Sequence, residues 1–242
     1  MNDREQHLTE HLAELRRRLL ITLGTFVVAL CATFVYVGEI YEWLTRDVDG
    51  HLQVLGPSDV IWVYFMIAGV FAIAITIPVG AYQIWRFVAP GLRPIERNLT
   101  LAYIPALAAL FVVGLAFGYF VIYPMVLSFL ETIAKEQFLT AYTAERYFRF
   151  MIHMTVPFGV LFEMPVVVMF LTSLGILNPL RLAKLRKIAY LILTIAAVTI
   201  TPPDLVSDIL VIVPLFLLYE ISIGLSRIVF RRREAKLQAV NE

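Results

Sequence analysis

The sequence predicts an all-α membrane protein with six transmembrane helices, and three observations indicate this fold class. The 242 residues are 60% hydrophobic and only 16% charged, with a mean hydropathy of +0.80, whereas soluble domains are about 45–50% apolar and about 25% charged. The apolar residues form runs close to the roughly 20 residues that cross a bilayer as a helix. Basic residues are concentrated in alternate connecting segments. A soluble fold could not bury this much apolar surface, so lipid must be part of the solvent.

The apolar runs follow one another along the chain as a single integral membrane domain, residues 1–242. The predicted spans are residues 19–37, 60–81, 99–123, 150–174, 188–200 and 205–225. The first run is longer than the apolar core of a typical signal peptide, so we expect it to be retained as a span.

The fifth predicted span, residues 188–200, is only 13 residues long. As a helix it would measure roughly 20 Å, against a hydrocarbon core about 30 Å thick. A proline-containing turn follows at once, so we expect a short hairpin between the fifth and sixth helices. Local thinning of the bilayer would relieve the mismatch. Extension of the helix into residues 184–187, with their basic side chains snorkelling, would do so equally well.

The distribution of Lys and Arg predicts that both termini are cytoplasmic. Sixteen of the 20 Lys and Arg residues lie before the first span, in the 2–3 and 4–5 loops, and after the sixth span. Positively charged segments near membrane spans stay on the cytoplasmic side. Residues 231–242 would then form a cytoplasmic tail.

The segment before the first span is predicted to be an amphipathic helix that continues into that span. Its leucines recur at spacings of three and four residues, and its polar face carries Glu10, Glu14 and Arg17. An interfacial helix with i,i+4 pairs and topology-setting arginines would explain this pattern without a binding role.

In the 2–3 loop, Pro90-Gly91 is predicted to end the second helix and Pro94 to begin the third. Glu96 would then lie in the first turn of the third helix, where the helix dipole favours a carboxylate. This position is a sufficient structural reason for a glutamate at residue 96. The functional alternative is that Glu96 is a recognition carboxylate at the cytoplasmic rim.

Two acidic residues interrupt apolar runs. Glu163 lies near the middle of the fourth span, between Pro157 and Pro165. A charge at this depth costs roughly 2.5–3.5 kcal/mol on insertion scales, which makes an intramembrane acid a functional candidate. A protonated carboxyl group bonded to a nearby carbonyl is the alternative. Glu220 lies near the end of the sixth span, seven residues before Arg227.

The fifth turn, Thr201-Pro202-Pro203-Asp204, carries two residues that could cap the sixth helix, Thr201 and Asp204. The four histidines and single cysteine show no metal-binding spacing, and no nucleotide-binding pattern is present. We therefore expect no metal, no cofactor and no nucleic-acid partner. We also expect no enzymatic activity, because no catalytic companion of Glu163 is evident.

Read together and in order, four motifs resemble the TatC family, the large membrane subunit of the twin-arginine protein translocase. They are His11-Leu12-x-Glu14-Leu15-Arg16-x-Arg18, Phe87-x-x-Pro90-Gly91-Leu92-x-x-x-Glu96-Arg97, Phe162-Glu163-x-Pro165 and Thr201-Pro202-Pro203-Asp204. The chain departs from the family at Asp208, where some members have glutamine.

The resemblance implies a receptor in the prokaryotic cytoplasmic membrane that binds twin-arginine signal peptides of folded exported proteins. It implies that Glu14 and Glu96 hold the paired arginines, that Arg16 and Phe87 shape the site, and that Pro202 and Asp204 form a functional turn. Glu163 becomes a candidate polar contact for a partner's span or for insertion of the signal peptide.

The resemblance also implies the partners and the energy source. The partners are small single-span subunits of the TatA/TatB type, further copies of the chain within a receptor complex, and membrane lipid. Transport would be driven by the proton-motive force. The alternative from a different class is a proton-coupled secondary transporter using Glu163. Such a transporter would be expected to show repeated halves, and none is visible in the sequence.

Overall fold

The computed structural model describes residues 3–46, 52–89, 101–135 and 141–241, with side chains described within 12–46, 52–89, 101–134 and 141–235. In this part of the chain the structure is helical. The elements are α1 (Asp3–Val35), α2 (Val37–Thr45), α3 (Pro57–Val88), α4 (Tyr103–Phe117), a π-helical segment (Gly118–Ile122), α5 (Tyr123–Lys135), α6 (Ala144–Leu161), α7 (Met164–Ser173), α8 (Pro179–Lys184), α9 (Arg186–Ile200) and α10 (Leu205–Asn241).

The structure confirms the all-α membrane fold. Five stretches in the described residues are long and apolar enough to cross a bilayer, namely Leu12–Val35, Pro57–Val88, Tyr103–Ala134, Ala144–Ser173 and Leu205–Ala235. In the most apolar window of the first, only 11% of the residues are buried. An apolar surface this exposed requires lipid around it. The remaining membrane helix is α9, whose 15 residues make it the short one, as predicted.

The helices extend beyond the predicted spans because an apolar run marks what lies in lipid, not where helical hydrogen bonding stops. The first span begins within a helix that starts at Asp3, as the amphipathic pattern predicted. The third continues through the π-helical segment to Lys135, and the sixth continues to Asn241. The fourth is interrupted at Phe162-Glu163, between a proline inside α6 and a proline in the first turn of α7.

The start of the fifth helix falls between the two alternatives. α9 begins at Arg186, so it gains two basic residues but does not reach Lys184. Lys184 ends the separate helix α8, whose first turn is capped by the Asn178 side chain accepting from the Leu180 amide at 2.9 Å. Leu185, with φ −85° and ψ 5°, separates the two helices. The predicted hairpin is present, since residues 201–204 alone connect α9 to α10.

The described residues form two compact units. In the first, built mainly from residues up to 108, α1 packs antiparallel to α3. Phe34 lies 5.2 Å from Phe65, ring to ring, and a Cβ atom placed on Gly80 would lie 3.4 Å from Thr22 Cγ2. The same unit contains a short parallel backbone pairing, in which the Gln53 amide donates to the Tyr142 carbonyl and the Ala144 amide donates to Gln53.

The second unit holds most of the remaining helices and is closely packed at two points. α7 and α10 lie side by side, with the hydroxyl groups of Thr172 and Ser226 2.8 Å apart. After α7 the chain turns through Gly175, whose φ of +75° favours glycine. The Arg233 guanidinium lies directly over this glycine and occupies the space that a Cβ atom would need.

Candidate functional site

The sequence-predicted residues Glu14, Arg16 and Phe87 lie at the same end of the α1–α3 pair. The contact between Thr22 and Gly80 fixes the register of these antiparallel helices. Glu14 is eight residues before Thr22, or about 12 Å along the axis, and Phe87 is seven residues after Gly80, or about 10 Å. The two side chains are therefore at nearly the same height, within one helical turn.

The exposure of these side chains suits recognition of a ligand from solvent. Glu14 retains 37% of its side-chain exposure, Arg16 is exposed and Phe87 is half-buried. The Arg18 guanidinium, one turn along the same helix, donates to the Glu14 carboxylate. Beside this end, Ala13, Arg16, Arg17, Leu20 and Ile21 line an open depression of about 520 Å³. Glu14 itself does not line this depression, which lies on a neighbouring face of α1.

Glu96, the other predicted carboxylate of this site, lies outside the described residues, as do Pro90, Gly91 and Pro94. The described part of the chain does show α3 ending at Val88, immediately before the predicted proline-glycine break. The backbone amide of Ala89 still donates to the Trp85 carbonyl.

Glu163 is the most unusual polar residue of the described chain. Both of its carboxylate oxygens are inaccessible to solvent and have no hydrogen-bond partner among the described residues. Its backbone remains hydrogen-bonded, because its amide donates to the Val160 carbonyl and its carbonyl accepts from the Val167 amide. The predicted alternative of a carboxyl group bonded to a nearby carbonyl is therefore not seen.

Aromatic side chains pack against one another directly before Glu163 in the chain. The preceding residue, Phe162, lies 5.3 Å from Phe117, ring to ring, and Phe117 lies 5.6 Å from Phe158. A buried acid without a partner costs free energy that a fold does not retain without reason. Glu163 lies at the break between α6 and α7.

The predicted turn at residues 201–204 is held by side chains on both of its helices. Asp204 Oδ1 accepts from the Ser207 amide at 2.7 Å, which is the N-cap interaction of α10. Thr201 closes α9 instead, because its hydroxyl group donates to the Ala197 carbonyl at 3.0 Å and to Asp208. Pro202 follows directly, where its ring prevents α9 from continuing.

One network was not predicted from the sequence. Glu220 accepts two hydrogen bonds from the Arg186 guanidinium, at 2.7 and 2.9 Å, and a third from the Tyr190 hydroxyl at 2.6 Å. Arg186 lies 34 residues earlier, so no local spacing could indicate the pair. The network joins the start of α9 to α10 and explains the acid near the end of the sixth span.

Comparisons with known proteins agree with this architecture. Residues 10–214 match the family described as Sec-independent protein translocase protein (TatC). The chain is 56% identical to TatCd of Bacillus subtilis over 96% of both chains. It is 42% identical to TatC of Halalkalibacterium halodurans, over 96% of this chain and 93% of the relative.

A crystal structure described as the twin arginine translocase receptor TatC superposes with a TM-score of 0.78 at 30% identity. The match covers 90% of this chain and 99% of the other. Nearly the whole chain is thus similar to proteins of one kind, in sequence and in fold. The chain belongs to the TatC family and is a membrane component of the Sec-independent protein translocase rather than an enzyme.

Proposed function

We propose that this chain is the receptor and core component of a twin-arginine translocase. It binds twin-arginine signal peptides at the cytoplasmic face and nucleates translocation of folded proteins, driven by the proton-motive force. The observation that carries this proposal is that Glu14, Arg16 and Phe87 lie at the same end of the α1–α3 pair.

A carboxylate at this position suits arginine better than lysine. Guanidinium presents a planar fork that donates two parallel hydrogen bonds to a carboxylate, whereas an ammonium group is a point charge. Glu14 would bind one signal arginine and Glu96 the other, with Arg16 and Phe87 shaping the site around them. A twin-lysine peptide would satisfy the charge without the bidentate geometry.

The two carboxylates cannot supply all of the binding. A hydrogen bond to a charged group contributes about 1.5–3 kcal/mol, and micromolar affinity requires about 8 kcal/mol. The apolar part of the signal peptide must supply the remainder. The exposed apolar face of α1 beside Arg16 offers a surface for it.

Glu163 serves a different contact in this proposal. Its buried carboxyl group has unused hydrogen-bonding capacity at the break between α6 and α7. A polar group on the span of a small TatA/TatB-type subunit, or of a signal peptide, could bond to it within the membrane. Further copies of the chain would complete the receptor complex.

The proposed location is the prokaryotic cytoplasmic membrane with both termini in the cytoplasm. The distribution of Lys and Arg supports this orientation. In this orientation Glu14, Arg16 and Phe87 face the compartment from which exported proteins arrive. Residues 231–242 belong to the same compartment.

The test is photo-crosslinking of a twin-arginine signal peptide to the full chain in membranes that contain the small subunits. We expect crosslinks next to the paired arginines in the wild type. We expect the crosslinking yield to fall at least tenfold in the Glu14→Ala/Glu96→Ala variant, because two charged hydrogen bonds of about 1.5–3 kcal/mol each are removed. We expect a similar loss with a twin-lysine peptide.

The control variant is Glu39→Ala, which removes an exposed carboxylate from α2 and should leave the crosslinks unchanged. An unaltered crosslink in the double variant would remove Glu14 and Glu96 from the site. No crosslink to the wild type would contradict the receptor proposal itself.

A further inference from the structure

The carboxylate proposed to hold a signal arginine is already bonded to an arginine of its own helix. Arg18 lies four residues after Glu14, and its Nη2 atom donates to Glu14 Oε1. This is the spacing at which opposite charges meet on a helix surface. The bond uses the same donor and acceptor groups that a signal peptide arginine would use.

The pair lies at the edge of the α1–α3 packing and is unequally exposed. The Arg18 side chain is only 12% exposed, whereas Glu14 is 37% exposed. Thr22, one turn further along α1, donates its hydroxyl group to the Arg18 carbonyl at 3.1 Å and lies next to Gly80 of α3. The Arg18 side chain is thus the more buried member of the pair, and Glu14 is the more exposed.

A buried acceptor lies at the same height as Arg18 on α3. Gln83 is 8% exposed, and its Oε1 atom is buried with no hydrogen-bond partner among the described residues. Arg18 Nε is likewise a buried donor without a partner in that part of the chain. From the contact between Thr22 and Gly80, the two residues differ in height by only about 1.5 Å.

We propose that Arg18 is an internal competitor that holds Glu14 until a signal peptide guanidinium displaces it. On displacement the Arg18 side chain turns toward Gln83, so that neither its charge nor the buried amide oxygen is left unpaired. This inference rests on the proposed function of Glu14. Arg18 therefore sets the affinity that a signal peptide must reach before it occupies the site.

Competition by Arg18 predicts a specific change in the affinity for signal peptides. Any peptide that needs Glu14 must first break the same internal bond, so removing Arg18 should tighten every such peptide by one common factor. The free energy of such an ion pair corresponds to about a two- to fivefold change in peptide affinity. The ratio of the affinities for twin-arginine and twin-lysine peptides should stay the same.

The experiment measures the affinity of fluorescent twin-arginine and twin-lysine peptides for the full chain in lipid nanodiscs. Arg18→Gln should tighten both peptides about two- to fivefold. Arg18→Lys can still make a single bond to Glu14 at the same spacing, so it should tighten binding less than Arg18→Gln. In a Glu14→Gln background, Arg18→Gln should change neither affinity, because no internal ion pair is left to remove. Mere charge repulsion by Arg18 would tighten both peptides in that background as well, which would overturn the inference.

The matched control is Arg181→Gln, which removes the same charge from an exposed side chain of α8, outside the proposed site, and should change neither affinity. Unchanged or weaker binding by both Arg18 variants, with normal binding by the wild type, would overturn the inference alone. Failure of the wild type to bind the twin-arginine peptide would overturn the proposed function, and this inference with it.

Discussion

At the scale of single residues, Glu163 has a buried carboxyl group that no hydrogen bond within the described residues stabilises. Burying a carboxyl group without hydrogen bonds costs several kcal/mol in an apolar medium. The described residues supply neither a cation nor a donor to its oxygens. A second chain in the membrane could supply a donor and recover this free energy on binding. We therefore expect Glu163 to favour assembly over the stability of the isolated chain.

We predict that Glu163→Ala weakens association with the small subunits and lowers export at least tenfold, because a charged hydrogen bond contributes about 1.5–3 kcal/mol. The affinity of the protein for twin-arginine signal peptides should change less than twofold. The melting temperature of the isolated protein should not fall, since an unpaired buried group is removed. Co-purification, an export assay and thermal unfolding measure the three quantities.

A matching substitution, Glu39→Ala, serves as the control for loss of a carboxylate. A loss of twin-arginine affinity with intact subunit association would show that the role assigned to Glu163 is wrong.

At this scale the sequence carries a signal where a residue type is itself unusual or where partners are close in the chain. An acid in an apolar run is visible by inspection, and the spacing of Glu14 and Arg18 is the familiar i,i+4 interval. The bond between Arg186 and Glu220 had no such signal, because packing of α9 against α10 creates it.

At the scale of elements, the contact between α4 and α6 depends on glycine. A Cβ atom on Gly114 would lie 2.5 Å from the Phe158 carbonyl oxygen, and one on Gly118 would lie 2.8 Å from Thr155 Cα. Small residues four apart let two membrane helices bring their backbones together. The neighbouring atoms are backbone, so a larger residue must separate the helices.

We predict that Gly114→Ala lowers the free energy of unfolding by about 1–3 kcal/mol, because an added methyl group overpacks the α4–α6 contact. Thermal unfolding of the detergent-solubilised protein measures the change. Gly69→Ala in α3 is the matched control. A Cβ atom there meets nothing within 4 Å, so helix propensity should make that variant neutral or up to about 1 kcal/mol more stable. Equal stabilities of the two variants would contradict the prediction.

The sequence predicted which segments are helices better than where they end. Apolar runs located all six membrane helices, and Pro202-Pro203 located the turn after α9. The break near Glu163 lies between the two prolines that flank it in the sequence, Pro157 and Pro165. The separation of α8 from α9 at Leu185 was not predicted, since nothing in Lys184-Leu185-Arg186 is itself a helix breaker. Tertiary packing outweighs such weak local preferences.

At the scale of the whole molecule, composition and charge distribution determine most of what can be inferred about the membrane. The described helices expose apolar side chains over most of their length, as lipid requires. The concentration of Lys and Arg in alternate connections then predicts the orientation. The pairing of Gln53 with residues 142–144 could not be predicted, because it joins segments almost 90 residues apart.

We predict that Glu234 lies in the cytoplasm and Ser58 on the opposite side. In a Cys31→Ser background, a membrane-impermeant maleimide should label Ser58→Cys in intact cells. It should label Glu234→Cys only after the membrane is opened. Both native residues are exposed, so access is not limited by the fold. The reverse labelling pattern would invert the proposed topology and place Glu14 on the wrong side for signal recognition.

The π-helical segment at Gly118–Ile122 changes the angular phase of the third membrane helix. One extra residue in a turn rotates everything beyond it by about 100° relative to an uninterrupted α-helix. A helical wheel counted at 3.6 residues per turn from Tyr103 therefore misplaces the residues after Ile122 by about 100° around the helix axis. Substitutions or probes positioned on α5 by such a helical wheel would point about a quarter turn away from their intended target.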